Sequence, residues 1–326
     1  MVIRSGFASS LLGLALLLFA FAVEANLVVV LNSRDASVTL LDYATGAEKG
    51  VIAVGKEPHH LIPTPDGKEL IVASAIGNEL IFLDPVTGAV KRKLGDIPDP
   101  YQLGFSPDRK WLVVAANRLD RVDVYRASDY GLAKRFEMPS IPSHVAYSND
   151  SAFAFVTLQG SDEIVALDLR AMQVAWKMKV GKTPAGIVMT GDGNHLLVGV
   201  MGEDHVAAID WRKRTIVKRL STGAGAHNLA PKGDGRHAFV SNRVANTISV
   251  IDETSLEIVR KYNVPGVPDC MDLSPDGKSL WVTSRWIMKV SVLDLDSGKV
   301  VRQYPVGRSP HGIYVHKPQA AAAPAK

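Results

Sequence analysis

An all-β fold, a seven-bladed β-propeller with four antiparallel strands per blade and one blade shared between the N- and C-termini, is what this sequence predicts. Three observations lead there: a repeat of fixed length, four short apolar runs in each repeat, and complementary parts of one repeat at the two ends. The repeat is 42 residues long, for Pro58, Pro100, Pro142, Pro184, Pro268 and Pro310 fall on one ruler with Ala226 at the remaining mark. Val72, Val114, Val156, Val198, Val240 and Val282 keep the same spacing, as do Asp66, Asp108, Asp150, Asp192, Asp234 and Asp276. Self-similarity at a fixed period is the sign of units that must stack to bury their faces.

Within a unit such as residues 270–306, apolar runs of four to six residues alternate with turn signals, which reads as four strands. The "TPDG" and "SPDG" segments supply hairpins, with Asp bonding its own backbone and Gly taking positive φ. Such a unit cannot bury both faces alone, whereas units around an axis bury one another. Residues 27–54 give strands two to four of a blade and "SPHGIYVHKP" gives its first strand, so the ring closes at seven and leaves no open edge there.

The repeats "AFVSNRVANTISVIDETSLEIVRKY" and "SLWVTSRWIMKVSVLDLDSGKVV", with "FVSN" at Phe239–Asn242 and "WVTS" at Trp281–Ser284, resemble YVTN-type propeller repeats over essentially all of 27–315. That resemblance implies the fold and says little of function.

Before the propeller, Arg4, the apolar run Leu11–Ala22 and the small Val23 and Ala25 predict a signal peptide over 1–25, because the run is shorter than the roughly 20 apolar residues of a membrane span. The propeller is expected over 26–316 and a disordered, low-complexity tail over 317–326. Export places the protein in the periplasm or outside the cell, as a monomer without membrane insertion. Cys270 is the only cysteine, so no internal disulfide is available and core burial must hold the fold. A formal net charge of +4 is too small to point to nucleic acid.

Chemistry concentrates at one end of the axis. The two positions after each mark hold His59 and His60, Tyr101 and Gln102, Ser143 and His144, Ala185 and Gly186, His227 and Asn228, Asp269 and Cys270, and His311 and Gly312, which takes in five of the nine histidines. On the same face, the links from strand two to strand three carry Arg34, Arg118, Arg243, Arg285 and Trp286. Ala185 and Gly186 are expected to leave space on one side of this mouth. Ser143 and His144, adjacent in a strand, are expected to point to opposite faces.

Several functions fit these residue types. Strand-end histidines and arginines serve structural roles in many proteins. As a functional mouth, arginine pairs carboxylate or phosphate in a fork and Trp or Tyr stacks on a planar ring, which suits an anionic or planar ligand held without catalysis. The arrangement is also similar to the haem-binding domains of d1-type cytochromes, which implies a haem-type tetrapyrrole as one possible cofactor. A copper or zinc ion is another, with His60, His144, His227 and His311 as the ligand candidates. A lactonase-like or metal- or haem-dependent periplasmic enzyme is the alternative, for which Asp269 is the one mouth carboxylate. No nucleophile-elbow motif occurs, and no catalytic residue is assigned. The expected partner is a small-molecule or cofactor ligand, or a periplasmic protein anchored at Trp286.

Overall fold

The computed structural model describes residues 27–317. Seven four-stranded antiparallel sheets stand in a ring, each packing its innermost strand against those of its two neighbours. Residues 1–26, which contain the expected signal peptide, and residues 318–326 lie outside the described residues, while Lys317 pairs with Asp272 at 2.8 Å. No helix among the described residues is long and apolar enough to cross a membrane.

Burial follows strand position. Second strands such as Leu70–Ser74 are buried throughout, because neighbouring blades cover both sheet faces, and they read as continuous apolar runs rather than as alternation. Outer strands such as Val90–Leu94 meet water and carry "KRK". The core is a series of clusters between blades. In one of them Leu27, Val29 and Leu40 interlock with Leu70, Val72 and Ile81 of the next blade.

The aspartate columns are turn chemistry. Ser106 donates to Asp108 at 2.7 Å, Ser148 to Asp150 at 2.7 Å and Ser274 to Asp276 at 2.6 Å, each closing a hairpin on the face opposite the histidines.

Closure is as the sequence predicts. Strand Pro310–Val315 pairs with Leu27–Asn32 through Val28↔Val315, Val29↔Tyr314 and Val30↔Ile313. The joint is tied further where the Leu27 carbonyl accepts from the His316 amide at 2.8 Å and Asp35 accepts from the Arg308 guanidinium at 2.5 Å.

Candidate functional site

Each innermost strand enters the axis by the same backbone device. The residue before every ruler mark (Glu57, Asp99, Ile141, Thr183, Gly225, Val267, Ser309) is left-handed, with φ between 51° and 75°. Six of the seven are not glycine, a conformation that costs on the order of 1–3 kcal/mol each and is kept only where surroundings enforce it. A β-bulge follows in six of the seven blades: Pro58 pairs with Ser74 but Leu61 with Val72, so three steps on one strand match two on the other. The same shift occurs after Pro142, Pro184, Ala226, Pro268 and Pro310. The extra residue re-aims side chains, and two consecutive residues reach the axis together.

That bulge overturns the expectation for Ser143 and His144. Their side chains do not point apart, because Ser143 Oγ lies 2.9 Å from His144 Nδ1. Ser143 is fully buried, and His144 Nε2 has no hydrogen-bond partner among the described residues to orient it. The expectation of space at Ala185 and Gly186 is also corrected. A Cβ on Gly186 would sit 2.4 Å from the His227 carbonyl oxygen, so glycine is there because the neighbouring backbone fills the gap.

All five mouth histidines meet in the pore. Ring centroids are 3.8 Å apart for His59 and His311, 4.7 Å for His59 and His60, 5.3 Å for His60 and His144, and 5.5 Å for His144 and His227. The Tyr101 ring lies tilted at 3.9 Å from His59, and the Tyr101 carbonyl accepts from His60 Nδ1 at 2.9 Å. Burial drives every one of these imidazoles down, His60 and His227 to about 4 and His59, His144 and His311 well below their ordinary value. Neutral rings bring lone pairs to the axis, so the positive charge of this face comes from arginine.

Asp269 is the anchor of that charge. Burial by itself would raise its carboxyl, but His311, Arg243 and His227 overcome this and hold it well below the usual carboxylate range. Arg243 grips it in a fork at 2.5 and 3.2 Å, and Arg285 adds a contact at 3.2 Å. His227 Nδ1 and His311 Nε2 stand 3.2 and 3.4 Å away. Cys270 is buried beside it, receives the Asn228 amide at 3.2 Å, and has its thiol pushed well up by burial, so it is an uncharged thiol.

Above the pore, a cleft of about 470 Å³ is lined by Arg34, Arg243, Val267, Arg285, Trp286, Met288, Arg308 and Ser309. An adjoining cleft of about 390 Å³ shares Arg34, Arg285 and Ser309 and reaches down to His59. The larger cleft has four arginines and no carboxylate in its wall. Asp269 lies buried beneath it, shared by Arg243 and Arg285, and Asp35 pairs with Arg308. Among the described residues Arg34 has no ion-pair partner, and a surplus of two positive charges remains. Trp286 stands at the rim, 81% exposed. Arg118 borders neither cleft. It is bound to Asp99 at 2.8 Å and to the Ala75 carbonyl. Arg308 is the one arginine of this cleft that the sequence reasoning misses, although the column two places before the mark offers Lys56, Lys182 and Arg308 as a basic set.

Acid is expected to destabilise this core. An imidazole held below its ordinary 6.5 takes up its proton only in the unfolded chain, so stability is full above about pH 6.5 and falls as pH drops towards about 4. Calorimetric Tm between neutral pH and that lower limit checks this, and a flat profile would mean that the folded pore admits protons freely.

A family model described as a YNCE-like beta-propeller matches residues 5–320. A functionally unknown protein from Desulfotomaculum acetoxidans superposes with a TM-score of 0.78 at 14% identity, over 90% of this chain and 100% of that one. The periplasmic gluconolactonase PpgL of Pseudomonas aeruginosa gives 0.73 at 21%, over 89% and 98%. The dihydro-heme d1 dehydrogenase NirN in complex with DHE gives 0.68 at 17%, over 89% and 75%. No curated protein sequence matches the chain. Identities this low carry the fold and leave the chemistry to the residues.

Proposed function

This chain belongs to the YNCE-like beta-propeller family, and we propose that it is an exported, non-catalytic binding module whose arginine-lined mouth holds an anionic ligand with a planar face. The observation that carries this reading is the larger cleft itself, with four arginines, no wall carboxylate and an exposed indole at its rim. Arg243 and Arg285 are held by Asp269, so two of the guanidinium groups are pre-organised rather than free to swing, which lowers the entropy lost on binding. Arg34 is the unpaired group left to complete a bidentate contact with carboxylate or phosphate. Trp286 supplies the stacking surface. A haem-type tetrapyrrole has both features, a planar face and carboxylates, and a protein partner with an acidic rim is the macromolecular counterpart.

Lactone hydrolysis, which the name of PpgL brings forward, needs a free acid or base at the mouth. Asp269 has its oxygens engaged by Arg243 and Arg285, while burial holds His227 at about 4 and His311 well below its ordinary value, so both are weak bases. The site therefore favours binding over hydrolysis.

Titration of the full chain with protoporphyrin IX, read by quenching of tryptophan fluorescence, is expected to saturate and to weaken with salt. Losing one charge-assisted contact in Arg34→Ala or Arg285→Ala should weaken binding by roughly 10- to 100-fold. Trp286→Ala should weaken it by about 2- to 10-fold. Binding indifferent to all three changes would overturn the reading, as would gluconolactone turnover by the wild type that disappears in Asp269→Asn or His227→Ala.

A further inference from the structure

We infer that the axial pore beneath the arginine mouth is a transition-metal site in which His59, His60 and His311 each give one ring nitrogen to a single ion. This goes beyond the anion reading and uses none of its arginines.

The geometry starts with the tautomers. His60 Nδ1 donates to the Tyr101 carbonyl at 2.9 Å and His311 Nδ1 donates to the His59 carbonyl at 2.6 Å. Each ring therefore carries its proton on Nδ1 and a lone pair on Nε2. Metal-bound histidines are held in this way, one nitrogen fixed by a backbone carbonyl and the other free to coordinate. Both Nε2 atoms are buried and have no hydrogen-bond partner among the described residues. Buried polar atoms are nearly always satisfied, and two unsatisfied ones on rings whose centroids are 4.8 Å apart call for an occupant.

One nitrogen from each of His59, His60 and His311 lies within 4.8 Å of the other two. Ligand bonds of about 2.0–2.1 Å to zinc put such atoms roughly 3.3–4.2 Å apart, so ring shifts on the order of an ångström complete the set. The backbone elements that position the rings are the strained, bulged entries already described, and they do not have to move. Contrast His237 on the opposite face, whose Nδ1 is 2.8 Å from Asp234 and already satisfied.

The donor set selects the ion. Three neutral imidazoles suit zinc or copper and not magnesium or calcium, which take oxygen ligands. Asp269, 3.4 Å from His311 Nε2, supplies a nearby negative charge without having to bind the ion directly. His59 also borders the smaller cleft, which gives an entry path and leaves a fourth position accessible to an incoming ligand.

Zinc is the probe. The full chain, exposed to a zinc salt at neutral pH and dialysed, should retain one equivalent by elemental analysis, with an X-ray absorption spectrum of nitrogen scatterers at about 2.0–2.1 Å and the outer-shell pattern of imidazole. His60→Gln and His311→Gln should each lower affinity at least about tenfold, in line with loss of a ligand, while His237→Gln keeps the full equivalent. Failure of the wild type to retain zinc overturns the inference, as does retention by the His60→Gln/His311→Gln double variant. Should circular dichroism show the variants unfolded, the absorption spectrum of the wild type decides by itself, and oxygen scatterers without imidazole overturn the site. None of these results touches the protoporphyrin titration, so the two readings fail separately.

Discussion

Asp269→Ala is expected to lower the unfolding free energy by about 3 kcal/mol and to weaken ligand binding at a cleft that Asp269 does not line. The carboxylate is fully buried and shared by Arg243 and Arg285, whose side chains are 19% and 29% exposed. Removing one partner of a buried ion pair costs about 3–5 kcal/mol, because the remaining charge stays desolvated. The partial exposure of both arginines lets them turn to water, which puts the expected figure at the lower end. The binding loss arises because the freed guanidinium groups must then be ordered by the ligand. Urea unfolding and the protoporphyrin titration read the two effects, and Asp269→Asn separates shape from charge. If Asp269→Asn equals wild type in both, the arginines do not depend on the carboxylate's charge.

Ending the chain after Ser309 is expected to abolish the folded ring. The strand removed contains Ile313 and Val315, buried at 7% and 0% exposure, and the two side chains alone represent about 3–6 kcal/mol of burial. They sit in a cluster with Val28, Val30, Trp281 and Val290, so the loss reaches two blades. It also leaves Leu27–Asn32 as an open edge, apolar from Leu27 to Leu31, of the kind that pairs with other chains. Size-exclusion chromatography and near-ultraviolet circular dichroism should find aggregated or unfolded protein. A soluble truncated chain with a wild-type spectrum would show that the joint is dispensable.

The ring was legible in the sequence because a repeated unit writes its periodicity into every copy. Proline and valine columns depend on backbone shape and burial, and both recur from blade to blade. The gathering of His59, His60, His144, His227 and His311 was legible for the same reason. What could not be read was the bulge. One extra residue in six of the seven inner strands breaks the two-residue alternation that strand reasoning relies on, so Ser143 and His144 were expected on opposite faces although they touch. Gly186 misleads in a related way, since a missing side chain looks like room until the approach of the His227 carbonyl is seen. Arg118 and Arg285 lie on the same kind of link, one repeat position apart, yet one is bound into its own turns and the other faces the cleft. Only the partners Asp99 and Asp269, placed by the tertiary fold, tell them apart.

The shared blade also sets an order of events in folding. Asp35 and Arg308 meet across 273 residues of chain, and His311 reaches the His59 carbonyl across 252. Closing a loop of that size carries an entropy term of about 5 kcal/mol, and contacts so distant in sequence form late. A nascent chain that still lacks its last strand can assemble blades but has no axis. The imidazoles from the first and last repeats become neighbours only when the final strand docks, so an unfinished molecule carries none of the chemistry of the finished one.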